Sequence, residues 1–347
     1  MNPIRLLQVG LGVHGREWAR RVVPGINEFE LVGYVDSDPH SLDVLRDEAY
    51  VPAGQCFESL TEAIAATRPQ ALLNTTALPG HTPVTRAALD AGLHVIVEKP
   101  FAPSLGEAQQ LVGVAAANGL VLMVSQNYRF FPAPRAIASL VKESALGELC
   151  EVSIDFRRYS APGPEDRHRV EKQPLLVDMS IHHFDLLRLI LDREPARIYC
   201  DAWNPDWTLF GGPSIAVASI DFGSGVVASY RGSWVSAGPE TSWHGDWRLE
   251  FEHGEVVWTN GDDDMNRDRV TIQPRVGAAR ELTLQPMTRT GPSATLAEFA
   301  NAIATGREPE TSGRNNLGTI ALVAAAVESA ARHEPVALSW TEEALAI

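Results

Sequence analysis

The sequence predicts two domains of different class: an α/β domain with a parallel sheet, then an α+β domain with a large open, mostly antiparallel sheet. Three observations predict this. Strand and helix patterns alternate through residues 4–125. A glycine-rich turn follows the first strand. Beyond residue 148, strand patterns succeed one another with hairpin signals between them. A chain of 347 residues has room for two domains at ~100–200 residues each. The border is expected near residues 125–135, where Pro132 and Pro134 punctuate the chain, which assigns 1–128 to the first domain and 129–347 to the second.

The first domain opens on a short apolar strand, Ile4–Val9. A helix is expected over residues 15–23, ended by Pro24 and Gly25. A strand at Leu31–Val35 and helices at Ser41–Glu48 and Leu60–Thr67 follow, the last stopped by Pro69. The pattern then runs strand Ala71–Thr76, helix Thr82–Ala91 with Gly92 at its end, and strand His94–Val97. It closes with helix Leu105–Asn118, opened by a Ser104/Glu107 capping box, and strand Leu120–Ser125. Alternation of this length argues for a parallel sheet covered on both faces.

In the second domain, strands are expected at Leu149–Arg157, Arg197–Trp203, Ile215–Phe222, Val226–Trp234, Trp247–Glu252, Glu255–Thr259 and Arg269–Gln273. The glycines after Phe222 and the pair His253-Gly254 are hairpin signals. One helix, Leu175–Leu191, interrupts the strands, and Ala294–Thr305 and Asn316–Arg332 follow them.

Composition excludes several function classes. With 45% hydrophobic and 21% charged residues the chain can build two cores and is not disordered. A net charge of -15 repels phosphate backbones and anionic lipid, so neither nucleic acid nor membrane is an expected partner. Cys56, Cys150 and Cys200 are far apart and show no CxxC spacing; free thiols are expected, with no disulfide and no metal site. The N-terminus has no charged-then-apolar leader pattern, and no apolar run approaches the ~20 residues of a membrane span. A cytoplasmic location is the expectation.

Gly10-Leu-Gly12-Val13-His14-Gly15 is a GxGxxG between a strand and a helix, the context that makes this motif informative. Gly10 permits the tight turn, Gly12 admits a pyrophosphate to the backbone, and Gly15 lets helix and strand pack closely. The helix N-terminus then offers free N–H groups to the anion. Asp36 ends the second strand about 20 residues later, where a carboxylate accepts from a ribose 2′-hydroxyl and repels a 2′-phosphate. A Rossmann domain binding NAD follows, with NADP as the alternative.

Glu98-Lys99-Pro100 closes the strand His94–Val97, and ligands of open α/β sheets bind beyond strand C-termini. Lys99 can hydrogen-bond a substrate hydroxyl and steady the negative charge that grows on it. Glu98 can accept from a cofactor ribose. In the second domain, Asp178 and His182 are four residues apart in the expected helix, with Asp185 three further on. Alcohol oxidation needs a base near neutral pH, which histidine provides. His182 is the expected base, with Asp178 orienting it, and His183 is expected to be structural.

With these pieces in hand, the chain resembles the Gfo/Idh/MocA oxidoreductases, the family of glucose–fructose oxidoreductase and inositol dehydrogenase. The resemblance runs from the glycine motif through Thr76 and His81, then 91–100 with Glu98-Lys99-Pro100. It continues through Asn127-Tyr-Arg129-Phe, Asp178 with His182 and Asp185, and the closing stretch 328–336. It implies that Lys99, Asp178 and His182 are catalytic, that Glu98 holds the nicotinamide ribose, and that Thr76, His81 and Asn127 line the cofactor cleft. It implies a sugar, sugar acid or cyclitol as substrate, and dimers or tetramers formed through the second sheet. Two other activities occur among such proteins: sugar elimination or glycoside cleavage with internally recycled NAD, and regulation by a non-catalytic NAD- or sugar-binding chain. Ser180 departs from the glycine that many members carry two residues after the aspartate.

On the substrate side, Arg129, Tyr159 and Trp234 are expected contacts, with Arg157 and Arg158 as further candidates. Seven of the eight tryptophans lie beyond residue 200, either as platforms for a sugar ring or as core. The polar stretch Pro162–Glu171 is expected to be a mobile loop over the site.

Overall fold

The structure is a computed structural model that describes residues 2–163 and 166–338; Trp340 and, in the expected loop, Pro164 and Glu165 lie outside it. The chain divides into two compact units. Their described residues are 2–127 with 291–317, and 128–163 and 166–290 with 318–338. No helix among the described residues is long and apolar enough to cross a membrane.

The first unit contains strands β1 (Ile4–Val9), β2 (Phe29–Val35), β3 (Cys56–Phe57), β4 (Ala71–Asn74), β5 (His94–Val97) and β6 (Leu122–Val124). They form one parallel sheet in the order β3-β2-β1-β4-β5-β6. Leu6, Leu7, Leu72, Leu73, Val95 and Ile96 are fully buried, as a sheet covered on both faces requires. The helices are α1 (Val13–Glu17), α2 (Pro39–Ala49), α3 (Leu60–Thr67), α4 (Leu78–Asp90) and α5 (Leu105–Ala117). Asp38 caps α2 by accepting from the His40 N–H at 3.1 Å, and Ser104 caps α5 by accepting from the Glu107 N–H at 3.3 Å. The expected first helix is less regular than its sequence suggests: α1 passes into a π-turn over Trp18–Val22 before Pro24 ends it.

The second unit holds a nine-stranded sheet that the sequence outlined in seven strands. Its strands are β7 (Leu149–Arg157), β8 (Arg197–Trp203), β9 (Ile215–Asp221), β10 (Val227–Ser233), β11 (Asp246–Phe251), β12 (Gly254–Thr259), β13 (Arg269–Pro274), β14 (Arg280–Glu281) and β15 (Val336–Ala337). Their order is β14-β13-β12-β11-β7-β10-β9-β8-β15. All pairs are antiparallel except β7 with β10. The two-residue edge strands carry too little pattern to be read from sequence.

Burial alternates cleanly along β9 and β10, so one face packs inward and the other stays open. The inward face presents Ile154, Phe156, Ala218, Tyr230, Leu249 and Trp258 to the core. Trp234, Trp247 and Trp258 belong to that core, whereas Trp203 and Trp207 are exposed. Helices α6 (Pro132–Lys142) and α7 (Ser180–Leu191) pack on each other. Helix α8 (Gly291–Thr305), expected in the second domain, belongs to the first unit, and the division between the units falls within α9 (Gly313–Arg332), so the second unit is not the continuous 129–347 that the sequence suggested. Helix α6 has no counterpart in the sequence reading, where its prolines counted only as punctuation. Pro132 instead sits in the first turn, where a missing N–H costs nothing.

Helix α7 is held by a buried polar network. Arg129 makes a bidentate pair with Asp185, Nε to Oδ2 at 2.6 Å and Nη2 to Oδ1 at 2.7 Å, with side-chain exposures of 4% and 2%. The Thr319 hydroxyl of α9 donates to the same carboxylate at 2.8 Å, and Arg188 donates to Thr319 at 2.9 Å and to Glu194 at 2.7 Å. Removing one partner strands a charge away from water. Asp185→Ala should therefore cost about 3–5 kcal/mol of unfolding free energy, read by urea denaturation. A loss under ~1 kcal/mol would show that the pair is not a structural anchor.

Candidate active site

The glycine turn between β1 and α1 is shaped by backbone contact. Gly10 has φ +93, and a Cβ there would lie 2.4 Å from the Thr76 backbone nitrogen. A Cβ on Gly15 would lie 2.0 Å from the Gly10 oxygen. Nothing lies within 4 Å of the Cβ position of Gly12, which faces open space. Steric necessity therefore explains two glycines and leaves Gly12 unexplained by packing. A pyrophosphate lying against the backbone there supplies the missing reason. Two residues that sequence reasoning missed brace the turn: Gln8 donates to the Gly15 oxygen at 2.7 Å, and Thr75 to the Gly10 oxygen at 2.7 Å. Val13 and His14 stand exposed at its rim.

Asp36 follows β2 and is half-buried. Its Oδ2 accepts from the Leu11 N–H at 2.6 Å and its Oδ1 from the Asp38 N–H at 3.0 Å. Because Asp38 caps α2, Asp36 is released from that duty, and each oxygen keeps a lone pair for a hydroxyl. These acceptor oxygens and the open Gly12 fit an NAD adenosine-side ribose and pyrophosphate.

Glu98 is buried, 5% exposed. Its Oε1 accepts from Trp18 Nε1 at 2.9 Å and lies 3.3 Å from His14 Nε2. Burial pushes its carboxyl up; the hydrogen bond and charge of His14, the Lys99 charge and Ser125 outweigh that and hold it below the usual range. His81 reaches two backbone oxygens, Nδ1 to Pro100 at 2.7 Å and Nε2 to Thr76 at 2.8 Å. Burial nevertheless keeps its imidazole below the usual range. His81 is thus a clamp between the chain after β4 and the turn after β5, buried at 2% exposure. That turn carries Lys99, half-buried, before a cis Lys99–Pro100 bond. Thr76 is tied back to Asn74, its hydroxyl donating to Oδ1 at 2.7 Å. At the C-terminal end of β6, both amide atoms of Gln126 and the Asn127 Oδ1 are buried without a protein hydrogen bond. Unpaired buried polar groups are rare and call for a partner, and this is the strand end where ligands of such sheets bind. Asn127 was expected there; Gln126, just beyond the expected strand Leu120–Ser125, was not.

In the second unit the expected helix over Leu175–Leu191 begins later. The chain winds through turns before Met179 and enters α7 at Ser180. Its backbone bonds change register there, Met179 N–H and Ser180 N–H both reaching the Leu175 oxygen. Asp178 therefore precedes the helix, and the four-residue spacing does not place it on a helix face with His182. Its carboxylate accepts instead from Arg167 Nη2 at 2.8 Å and His168 Nε2 at 3.2 Å. The hydrogen bond and charge of Asp178 raise the His168 pKa above its usual value. Both partners sit in the 3-10 turn Arg167–Arg169, part of the stretch read as a mobile loop.

The two histidines differ sharply. His183 is fully buried, with Nδ1 3.2 Å from the Tyr230 hydroxyl and Nε2 3.0 Å from the Trp243 oxygen. Burial lowers its pKa to about 4, so it stays neutral and structural. His182 stacks face to face on Tyr128, ring centres 4.1 Å apart and planes at 13°. Ser180, in the place where many Gfo/Idh/MocA members carry glycine, sits 3.2 Å from the Leu175 oxygen and 2.8 Å from the Tyr230 hydroxyl.

The expected substrate contacts separate. Tyr159 is 56% exposed. Trp234 is a core residue, edge-on to Phe156 at 5.1 Å, and Arg129 has its guanidinium on Asp185 rather than open to a ligand. Arg158 lies over the Trp243 ring at 4.2 Å and pairs with Asp263 and Glu240, which offset its charge.

The glycines yield a discriminating experiment. Gly12→Ala should melt with the wild type yet weaken NADH binding at least about tenfold, by fluorescence titration, because its Cβ enters the pyrophosphate space. Gly15→Ala should lower stability itself. Unchanged NADH affinity in Gly12→Ala would remove the pyrophosphate from this turn.

The sequence pattern described as "Oxidoreductase family, NAD-binding Rossmann fold" matches residues 4–126, and that of the GFO/IDH/MocA C-terminal domain matches residues 135–257. The chain is 25% identical over 330 residues to the 1,5-anhydro-D-fructose reductase of Ensifer adhaerens, spanning 93% of this chain and 95% of that protein. Among solved structures, the aldose-aldose oxidoreductase from Caulobacter crescentus complexed with glycerol superposes with a TM-score of 0.83 at 21% identity, covering 97% of this chain and 100% of that one. An inositol dehydrogenase homolog from Azotobacter vinelandii complexed with NAD+ gives 0.82 at 22% identity, covering 97% and 98%. Those two likenesses speak for the fold, and the two sequence patterns for descent: the chain belongs to the Gfo/Idh/MocA family of NAD-binding oxidoreductases.

Proposed function

We propose that this protein is an NAD-dependent dehydrogenase or reductase of a sugar, sugar acid or cyclitol. The observation that carries the reading is the glycine turn, whose one unfilled Cβ position, at Gly12, lies beside the Asp36 carboxylate's backbone partner Leu11. The relatives named above act, by their names, on a sugar derivative, an aldose or, for the homolog, inositol, which supports a polyhydroxylated substrate.

Bound NAD supplies the hydride acceptor. The residues of the chain do the rest. In the proposed chemistry Lys99 donates a hydrogen bond to the reacting oxygen and steadies its growing negative charge. His182 accepts the hydroxyl proton in oxidation and returns it in reduction. Asp178, itself tied to Arg167 and His168, favours the imidazolium. Glu98 and the Asn127 Oδ1 are the proposed acceptors for the nicotinamide end. Asp36 favours NAD, because its charge opposes a 2′-phosphate.

We further propose that a second copy of the chain packs on the open face of the nine-stranded sheet. Val217 and Val227 are 45% and 40% exposed there, Val217 lying opposite Arg231, which pairs with Asp155. Light scattering should give a dimer or tetramer mass, and the double substitution Val217→Asp with Val227→Asp should lower it. A monomer at all working concentrations would overturn this.

Lys99→Ala and His182→Ala should each cut kcat by roughly 10²–10⁴ and leave NADH affinity within about twofold. The assay is reduced-cofactor absorbance against cyclitols, aldoses and sugar acids, with NAD and NADP in parallel. Near-normal turnover in both variants would end the assignment of roles.

A further inference from the structure

We propose that Tyr128 is a positioning residue for His182, holding its ring plane and favouring its protonated form. The inference rests on His182 as the base and goes beyond it by naming what sets that base. Tyr128 comes from the single turn Asn127–Phe130, and His182 from the third residue of α7. They are 54 positions apart in sequence, yet their rings lie parallel within 13° at 4.1 Å. His182 is 5% exposed, so its protonated form has little water to solvate it. An aromatic face carries negative quadrupole density, and a cation stacked on it is stabilised. A neutral imidazole gains much less. The stack therefore raises the basicity of His182, against the effect of burial, and restricts rotation of the ring.

Burial and the Asp178 charge both raise the Tyr128 pKa, so its hydroxyl stays protonated and it adds no charge of its own. Arg158 and Asp263 act on the phenol with opposite sign and pair with each other at 2.6 Å. Asp178 faces Arg167 and His168. The remaining contribution of Tyr128 is its face. The sequence offered no sign of it, because a tyrosine between Asn127 and Arg129 has no helical or strand period linking it to residue 182.

The test reads the histidine directly and needs no substrate. The imidazole protons of the full chain are titrated by NMR, and the His182 signal is assigned by its loss in His182→Gln. In Tyr128→Leu the His182 pKa should fall by roughly 0.5–1 unit, and in Tyr128→Phe it should stay within about 0.2 unit. Tyr128→Trp, with the stronger face, should hold or raise it. With any substrate the wild type turns over, Tyr128→Leu should shift the acid limb of kcat/KM to lower pH and lower kcat about tenfold, with KM little changed. A His182 pKa equal to wild type in a folded Tyr128→Leu overturns the proposal. Should that variant fail to fold, a fall in the Tyr128→Trp or Tyr128→Phe protein overturns it instead. Full activity in His182→Ala would sink the catalytic reading and leave the titration result standing, so the two failures are distinguishable.

Discussion

The close crossing of backbone at the first turn is the constraint on which the rest of the nucleotide-binding unit depends. Gly15 comes so near the Gly10 oxygen, and Gly10 so near Thr76, that no side chain fits at either place. That contact joins β1, α1 and the chain after β4 into one rigid edge. Gln8 and Thr75 satisfy the polar atoms that the crossing buries. The carboxylate of Asp36 then meets the Leu11 N–H, so the turn and the end of β2 are fastened by a charge-assisted bond. A mouth lined by backbone N–H groups is left where Gly12 has nothing beside it.

The second unit solves a different problem, that of keeping polar groups buried beneath a sheet. Around α7 the answer is a network of mutual hydrogen bonds. Asp185 receives Arg129 and Thr319, and Arg188 joins Thr319 to Glu194. His183 shares a hydroxyl with the Ser180–Tyr230 pair. Such networks rigidify an element when every member is satisfied. They position α7, and α7 carries His182. The chemistry proposed for one imidazole thus rests on neighbouring groups that do none of it.

Neighbouring histidines show how environment assigns roles to identical side chains. His183 faces a hydroxyl and a carbonyl deep in the core and stays neutral. His182, one residue earlier, lies against the Tyr128 ring. Adjacent helix positions point about 100° apart, and that rotation is enough to separate a structural imidazole from the one proposed as the base.

The alternation of strands and helices, the glycine motif and Asp36 were legible because they depend on local period and on steric rules confined to a few residues. So was the change to a meander with one solvated face, whose alternation survives in β9 and β10. Some residues gained their meaning only in three dimensions. Arg129 reads as a substrate ligand in a motif and is a buried ion pair in the fold. Trp234 reads as a platform and is core. Asp178 reads as the helix neighbour of His182, until the turns before Ser180 move it to Arg167 and His168. Tyr128 sits in the Asn127-Tyr-Arg129-Phe stretch, but nothing in the sequence ties it to His182. Local geometry follows from neighbours along the chain, so the sequence by itself determined the elements and the nucleotide turn. The partner of a buried charge or ring comes from segments far away in sequence, and only the tertiary structure decided those.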